Sequence, residues 1–266
     1  MAKQLKNGEK LLRPVHPNAG IEAQYRIRLR KLVEAMHRSI IHWVSASYKA
    51  NAPEIAQDAL PSIELRRAIR KLVRQWQRRF NLGAPRLAKW FAQSASRRSD
   101  IQLARILREA GFSVGFKLTR AQRDIINATV AQNVGLIKSI PQRYLEQVEG
   151  IVMRSVQRGG DLKQLTRDLQ VQFRVTRRRA VFIARDQNIK AVSALNRARQ
   201  IELKIESAIW MHSHAGKVPR RTHVANDGKR YDVVKGWYDP DEGRYIQPGE
   251  LINCRCTSKS IIKGFS

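Results

Sequence analysis

The sequence predicts a mainly α-helical protein, in which long basic helices are followed by a small, irregular α+β C-terminal module. Three observations lead to this prediction. Apolar residues recur every three or four positions through most of the first 200 residues, as they do on one face of a helix. Glycine, proline and aromatic residues become frequent after residue 205. The 266 residues are 42% hydrophobic, which is enough for a substantial core.

Positive charge is concentrated in the first part of the chain. The chain carries 51 Lys and Arg against 22 Asp and Glu, a formal net charge of +29. Residues 1–200 contain 40 Lys and Arg and 14 Asp and Glu, whereas residues 201–266 contain 11 Lys and Arg and 8 Asp and Glu. Solvated helix faces in a soluble domain explain a net charge of up to about 8. The excess therefore predicts a polyanionic partner, above all nucleic acid bound through its phosphates.

Several classes of partner and compartment are disfavoured by what the sequence lacks. No zinc-finger spacing and no RNP-type string occurs in the sequence. We therefore expect non-specific binding of double-stranded DNA rather than sequence-specific recognition. No run of 18 apolar residues occurs, which predicts no membrane partner. The N-terminal residues lack the apolar segment of a secretory signal. With two cysteines in an unsecreted chain, a reducing compartment is expected and a disulfide scaffold is not.

The first predicted region, residues 1–118, consists of basic helices. Asn18 is placed to cap a helix from about Gly20 to Tyr48, because its side-chain oxygen can accept a free N–H of the first turn. Apolar residues at three- and four-residue spacing support this helix.

The second predicted helix, from about Ser62 to Phe80, has one apolar face and a basic remainder. The string NLGAP at residues 81–85 predicts its end, and shorter helical pieces follow up to Gly111. Candidate non-specific DNA contacts lie on this helix and in the later string TRRR: Arg66, Arg67, Arg70, Lys71, Arg74, Arg78, Arg79, Arg177, Arg178 and Arg179.

The second predicted region, residues 119–204, is again helical. Ser139 is a candidate N-cap, with Pro141 just inside the start of its helix. Thr176 is predicted to open the last long helix of this region. The third region, residues 205–266, is the small α+β module.

Short strands separated by glycine-defined turns are predicted in the third region. SAIWMHS is predicted as one strand, HVANDGKRYDVV as two strands around an Asp-Gly turn, and INCRCTSKSII as the closing strand. The aromatic residues of the module could stack on bases, but in so small a module they are expected to form its core. These residues are Trp210, Trp237, Tyr231, Tyr238 and Tyr245.

Cys254 and Cys256 would share one face if they lie in a strand, because residues two apart point to the same side. A disulfide between them is disfavoured by the geometry of an extended chain. Three interpretations stay open: a structural zinc site, packing as small buried apolar groups, and a redox role. Zinc would take the two cysteines and two of the nearby histidines, His212, His214 and His223. The candidate ligands named for this site are Cys254, Cys256, His214 and His223.

His223 also suggests an enzymatic alternative, a His-dependent nuclease or toxin-like enzyme. His223 would act as general base, and Arg221 or Arg244 would hold a phosphate. The sequence contains no paired-carboxylate or HNH-like spacing, and a tight turn accounts for the adjacent Asp-Gly pair. A non-enzymatic function is therefore favoured, and no catalytic residue is assigned. A nucleic-acid-binding protein unconnected to virions is a further alternative.

Four strings follow one another in the second half of the chain: IARDQNIKAVSALNRAR, AIWMHS, RRTHVANDG and QPGELINCRC. In this order they resemble the domain of phage Mu F-like head morphogenesis proteins, the minor capsid proteins of tailed phages. The likeness covers about residues 130–258. It is carried by Trp210, Arg220, His223, Asp227, Gly228, Pro248, Gly249, Asn253, Cys254, Arg255 and Cys256. The sequence departs from the family at ARDQ, residues 184–187, where the family more often has a Thr and a Glu.

The resemblance implies a minor capsid protein of a tailed phage or prophage. Such a protein is present in few copies, associates with the portal vertex, and acts in head assembly or in genome packaging or ejection. Its implied partners are the portal and other head proteins, and its location is the head interior after assembly in the host cytoplasm. Packaged DNA is a dense polyanion, so a net charge of +29 fits that location. The nearly neutral third region fits contacts with proteins.

Overall fold

Four long helices account for most of the chain. The structure, a computed structural model, describes residues 3–4, 8–50, 60–158, 162–215 and 218–263. The long helices are α1 (Ala19–Ala50), α2 (Leu60–Glu109), α3 (Arg120–Gln157) and α4 (Leu162–Glu202). A small strand-rich module with one short helix, α5 (Arg221–Ala225), follows them. The predicted fold class, mainly α with a small α+β C-terminal module, is confirmed.

The chain divides into two compact units, each made of non-consecutive segments. The helical unit contains Ala23–Lys89 and Ala131–Ala184. The sheet unit contains Met1–Glu22, Trp90–Val130 and Arg185–Ser266. The three consecutive regions proposed from the sequence stay a prediction about domain organisation.

In the helical unit, the helices bury residues at three- and four-residue spacing. On α1 these are Tyr25, Leu29, Val33, Met36, Ile40 and Val44. On α2 they are Leu65, Ile69, Leu72, Trp76 and Phe80. Burying a large apolar side chain stabilises the fold by roughly 1.5–3 kcal/mol, so such stripes outweigh most local propensities.

Helix α2 continues through the string NLGAP, so the predicted break at residues 81–85 is wrong. Pro85 lies inside the helix and lacks the N–H that would bond the preceding turn, at a cost of about 3 kcal/mol. The apolar stripe nevertheless continues, because Ala84, Leu87 and Ala88 are buried. Burial along the stripe offsets the local cost of the proline.

The predicted helix starts at Ser139 and Thr176 are also wrong. Ser139 Oγ donates to Leu136 O at 2.7 Å, and Pro141 lies inside α3. Thr176 Oγ1 donates to Gln172 O at 3.1 Å inside α4. Each hydroxyl bonds a carbonyl of the preceding helical turn instead of capping a free N–H.

Two predicted helix ends are confirmed. Asn18 Oδ1 accepts the N–H of Ile21 at 3.0 Å, which is the hydrogen bond of an N-cap. Gly111 follows the end of α2 with φ +94°, and the N–H of Phe112 donates to Leu107 O at 2.9 Å. This is the usual glycine-based termination of a helix.

The sheet unit contains two antiparallel sheets. Its strands are β1 (Lys3–Gln4), β2 (Lys10–Leu11), β3 (Ser207–Met211), β4 (Arg230–Asp232), β5 (Trp237–Asp239), β6 (Arg244–Ile246) and β7 (Thr257–Ile262). The larger sheet has the order β1-β2-β7-β3-β4, and β5 pairs with β6 in a separate sheet. The central pair is β3 with β7, with Trp210 opposite Ser258. The last strand is thus fixed against the strand that carries the buried tryptophan.

Two of the strand predictions need correction. The residues HVA of HVANDGKRYDVV lie in helix α5, and a strand forms only at β4. Cys254 and Cys256 lie in the irregular segment just before β7, so they are not part of the closing strand. Each correction moves chemically active side chains from a strand to a short connecting segment.

A compact apolar core holds the sheet unit together. Its buried members are Ile205, Ala208, Trp210, Tyr231, Val233, Ile246, Leu251, Cys254 and Cys256. Trp237 packs against this core, whereas Tyr238 and Tyr245 are 49% and 44% exposed. The two cysteines therefore contribute to packing, as one of the three interpretations expects.

Among the residues that the structure describes, no helix combines the length and the apolar character needed to cross a bilayer.

Two glycines associated with α2 should respond oppositely to alanine substitution. Gly83 lies in the helix interior, and an added Cβ would meet no atom within 4 Å. Gly83→Ala should therefore raise the free energy of unfolding by about 0.5–1 kcal/mol. Gly111→Ala should lower it by about 1–2 kcal/mol, because φ at this position is +94°. Urea unfolding followed by far-UV circular dichroism measures both changes, and shifts of the same sign would contradict the helix bounds.

Candidate functional site

His223 is the centre of a buried cluster in the sheet unit. Helix α5 carries it, and only 2% of the residue is exposed. The Sγ atoms of Cys254 and Cys256 each lie 3.5 Å from His223 Nδ1. The possible ligand atoms of these three residues all lie within 4.8 Å of one another. One imidazole and two thiols in such an arrangement are a set of side chains that can hold a metal ion.

Asp239, at the end of β5, contacts the other nitrogen of the imidazole. Its Oδ2 lies 3.3 Å from His223 Nε2, and the residue is fully buried. The same carboxylate accepts hydrogen bonds from Thr222 Oγ1 at 3.3 Å and from the N–H of Asp241 at 3.0 Å. Among the described residues His223 Nε2 forms no hydrogen bond, so its interaction with Asp239 is an electrostatic contact. Asp239 therefore favours a proton on Nε2, which leaves the Nδ1 lone pair facing the two sulfurs.

The two thiols influence each other's protonation. Hydrogen bonding with Cys256 lowers the pKa of Cys254, and His223 acts in the same direction. Conversely, hydrogen bonding with Cys254 raises the pKa of Cys256, and burial raises it further. The two thiols therefore titrate as a pair, in which the second proton is harder to remove than the first.

Trp210 packs against one side of this cluster. It is fully buried on β3, and its ring meets His223 edge to face with 5.2 Å between centroids. Tyr231 and Trp237 pack against the same indole, at 5.8 and 5.4 Å. These aromatic contacts fix the position of the imidazole and keep water away from that side.

A turn just before the cysteines brings them to His223. Asn253 in this turn has φ +60°, and its N–H donates to Asp186 Oδ1 at 2.6 Å. Arg185 Nη2 donates to Asn253 Oδ1 at 2.9 Å. Arg220 Nη2 donates to Ile252 O at 3.1 Å. Side chains of α4 and of the residue before α5 therefore hold the turn.

Pro248 and Gly249 make the close approach that precedes this turn. Gly249 has φ +79°, and a Cβ there would lie 3.1 Å from Ser193 Cβ and 3.2 Å from Ile189 Cγ2. Ser193 Oγ donates to Pro248 O. Glycine is needed here both for its backbone conformation and for the space on α4.

Asp227 and Gly228 organise the loop after β3. Gly228 has φ +75°, and its N–H donates to Trp210 O at 2.9 Å. Asp227 Oδ1 accepts the N–H of His212 at 2.8 Å, and Asp227 Oδ2 lies 2.8 Å from His214 Nε2. His214 is paired with this carboxylate, and its side chain is 65% exposed. The structure therefore brings three of the four candidate zinc ligands together and leaves His214 outside the group.

The cluster borders a pocket of about 370 Å³. Its lining includes His223, Cys254 and Cys256, together with His212, Arg220 and Arg255. Arg255 Nη1 donates to Ala215 O at 2.7 Å, which holds this guanidinium at the edge of the pocket. A small ligand in the pocket would be next to both the sulfurs and positive charge.

The residues of the nuclease hypothesis are engaged in other contacts. Arg244 pairs with Glu250 at 2.6 Å. Arg221 is exposed, whereas His223 is buried with its Nδ1 toward the thiols. This arrangement differs from a histidine base next to a phosphate-binding arginine.

The second half of the chain matches a known family. Residues 146–259 match the family described as "Phage Mu protein F like protein". This part of the chain is therefore similar to the phage Mu F-like family. The resemblance drawn from the four sequence strings is thus confirmed, and the family suggests a phage head morphogenesis protein.

One relative matches about half of the chain. An uncharacterized protein of Haemophilus influenzae (strain ATCC 51907 / DSM 11121 / KW20 / Rd) is 36% identical over 137 residues, which is 52% of this chain. The chain spans 29% of the length of that relative. No solved structure matches the chain.

Two carboxylates of the Mu F-like region were missed by the sequence analysis. Asp186 supplies a carboxylate one position before the Gln that replaces the family's usual Glu, and it binds the turn at Asn253. The acid within ARDQ was the available signal for this role. Asp239 had no comparable signal, because nothing in the sequence distinguishes it from Asp241 or Glu242.

The candidate DNA contacts lie outside the cluster, on α2 and α4 of the helical unit. Nine of the ten side chains are exposed, and Arg179 is half-buried. Arg66 lies 3.3 Å from Glu149, and Arg177 lies 3.8 Å from Glu34.

Asp186→Ala should loosen the turn of the Mu F-like region that carries the cysteines. Losing a charged acceptor that binds a backbone N–H should lower the free energy of unfolding by about 1.5–3 kcal/mol. Hydrogen exchange of residues 249–256 should become faster. Asp124→Ala, which removes an exposed carboxylate from the same unit, is the matched control and should change stability by less than about 0.5 kcal/mol. Equal effects of the two variants would contradict the assigned role of Asp186.

Proposed function

We propose that the protein is a minor capsid and head morphogenesis protein of a tailed phage or prophage. In this proposal it lies in the head interior, associated with the portal, and acts in head assembly or in genome packaging or ejection. The helical unit contacts packaged double-stranded DNA without sequence preference, and the sheet unit contacts other head proteins. The observation that carries the proposal is an exposed basic stripe in a chain whose second half is phage Mu F-like.

The basic stripe runs along one face of α2. Its members follow one another at intervals of three, one, three and four residues: Arg67, Arg70, Lys71, Arg74 and Arg78. Residues at this spacing lie on the same side of a helix. All five are exposed, and they extend over about 16 Å of helix. This length corresponds to several successive phosphates of a duplex.

The opposite face of α2 orients the stripe. The buried residues Leu65, Ile69, Leu72, Trp76 and Phe80 lie about 180° around the helix from its basic members. Rotating α2 to bury the basic residues would expose this apolar set, at a cost of several kcal/mol. The positive charges are therefore held outward.

The helical unit has few acidic residues to balance the positive charge of its Lys and Arg side chains. Its two segments contain 25 Lys and Arg and eight Asp and Glu, a net charge of +17. Within the described part of the chain, Arg70, Lys71, Arg74 and Arg78 form no ion pair with an acid. Exposed Lys and Arg side chains without an acidic partner contribute most to DNA affinity, because they neutralise phosphates and release counterions.

A second basic group, on α3 and α4, supports the same proposal. Arg143, Arg178 and Arg179 line a groove of about 650 Å³ in the helical unit. Burial lowers the pKa of Arg179, and the like charge of Arg143 lowers it further. A phosphate between the two guanidinium groups would relieve this repulsion.

DNA binding should depend on the stripe more than on total charge. The variant with Arg70, Arg74 and Arg78 changed to Gln should bind duplex DNA roughly 10- to 100-fold more weakly at 0.1 M salt, with a slope of log affinity against log salt shallower by about 3. Fluorescence anisotropy with random-sequence duplexes measures both quantities.

A matched control removes the same charge elsewhere. Arg105, Arg230 and Arg244 already pair with Glu109, Glu9 and Glu250. Changing these three arginines to Gln should alter DNA affinity less than threefold. Equal losses in the two triple variants would contradict a located DNA surface, and no duplex binding by the unchanged protein would contradict DNA contact altogether.

The proposed location predicts where the protein is found in particles. Mass spectrometry of DNA-filled heads and of DNA-free proheads from the same phage should detect it in both, at few copies per head. Treating intact heads with protease should leave it uncleaved, because the shell protects interior proteins. Absence from both kinds of particle would contradict the proposed function.

A further inference from the structure

The geometry points to a zinc site in the sheet unit, formed by His223 Nδ1 and the thiolates of Cys254 and Cys256, with a fourth coordination position that opens to the adjacent pocket. This site is independent of the proposed head function, since it rests on side-chain positions alone. Neither the family match nor the relative assigns a metal to these residues.

The distances between the three ligand atoms are those of tetrahedral zinc. With Zn–S bonds of about 2.3 Å and Zn–N bonds of about 2.0–2.1 Å, sulfur and nitrogen lie about 3.6 Å apart and two sulfurs about 3.8 Å apart. Both sulfurs lie 3.5 Å from His223 Nδ1. All three atoms lie within 4.8 Å of one another. One ion can therefore reach all three without a rearrangement of the backbone.

Hydrogen bonding alone gives a weaker explanation of this arrangement. A neutral imidazole has one lone pair, so His223 Nδ1 can accept a hydrogen bond from one thiol only. Yet two sulfurs lie at the same distance from this nitrogen. The second thiol can donate to the first sulfur, but this weak hydrogen bond does not require both sulfurs to lie equally close to the nitrogen, whereas a shared metal ion does.

The surroundings of the site match those of metal-binding histidines. Zinc-bound histidines usually have a carboxylate or carbonyl at the other ring nitrogen, which sets the tautomer and orients the ring. Asp239 Oδ2 occupies that position, 3.3 Å from His223 Nε2. The carboxylate is fully buried and is itself held by Thr222 and by the N–H of Asp241.

Neither of the other two nearby histidines completes the set. His214 Nε2 is paired with Asp227 Oδ2 at 2.8 Å. His212 Nδ1 accepts the N–H of His214 at 3.2 Å, which places the proton on Nε2 and removes its lone pair. The fourth ligand is therefore water, hydroxide or a small anion from the pocket. Three protein ligands with one exchangeable position are typical of open zinc sites.

The same residues could instead form a Cys-His-Asp nucleophile. Reactive cysteines are partly exposed, because the thiolate must reach its substrate. Cys254 and Cys256 are 4% and 3% exposed, and both sulfurs share one histidine nitrogen. Burial and the paired sulfurs favour the metal site.

Metal analysis of the full-length protein tests the inference. Protein incubated with equimolar zinc and then desalted should retain about one zinc per chain by inductively coupled plasma mass spectrometry, because two thiolates and an imidazole bind zinc tightly. Retention below about 0.2 zinc per chain would overturn the site. Cobalt loading should add a thiolate-to-metal absorption band in the near ultraviolet, and a spectrum without that band would overturn thiolate ligation.

Variants identify the ligands and separate them from a merely structural role. Cys254→Ser, Cys256→Ser and His223→Ala should each lose the bound zinc, whereas His214→Ala is the matched histidine control and should keep it. Asp239→Asn should keep the site but weaken zinc affinity roughly 10- to 100-fold. Loss of zinc in His214→Ala, or unchanged affinity in Asp239→Asn with a normal circular dichroism spectrum, would contradict the assigned ligand set.

Rapid alkylation of Cys254 by iodoacetamide in zinc-saturated protein would favour the nucleophile instead and overturn the inference.

Discussion

The sheet unit depends on the convergence of two sulfurs on one nitrogen of His223. Helix α5, the segment before β7 and the end of β5 are separate stretches of chain, and they meet at His223, the two cysteines and Asp239. Arg220 and Thr222 add hydrogen bonds from the start of α5 to Ile252 and to Asp239. Most residues of the family motif serve this meeting point. Arg220 and Asn253 hold the turn, Gly249 permits close approach to α4, and Asp227 and Gly228 organise the neighbouring loop.

The basic residues of the helical unit need a less precise arrangement than the side chains around His223. The helical unit carries a net charge of +17, and its basic stripe is held outward by the buried face of α2. The sheet unit's site is a small, specific arrangement, whereas the stripe needs only correct orientation and exposure. Binding to phosphates tolerates many arrangements of Lys and Arg side chains, because its strength comes from charge neutralisation and counterion release. The chain would thus combine the proposed non-specific polyanion surface with the proposed zinc site, whose geometry is strict.

Periodicity predicted the helices, and local signals predicted only some of their ends. Asn18 and Gly111 act as expected, because a cap depends on one hydrogen bond or one φ angle near the signal itself. Pro85, Ser139 and Thr176 mislead, because buried stripes on both sides keep the helix intact. The cysteine spacing correctly suggested convergent sulfurs, although they precede β7. The sequence does not show that His223, rather than His214, lies beside the two cysteines, or that Asp239 contacts its other ring nitrogen. Both facts depend on contacts between residues that are distant in the sequence.

X-ray absorption at the zinc K-edge of the zinc-loaded, full-length protein tests the central claim most directly. The cluster predicts two sulfur neighbours at about 2.3 Å and nitrogen or oxygen neighbours at about 2.0–2.1 Å. Cys256→Ser protein, which should lose the bound zinc, should show no zinc absorption edge after the same loading and desalting. A spectrum with only oxygen and nitrogen neighbours would contradict the claim that the two thiolates and His223 share one ion. A spectrum with four sulfurs would contradict it as well, because it would require two chains to share a metal.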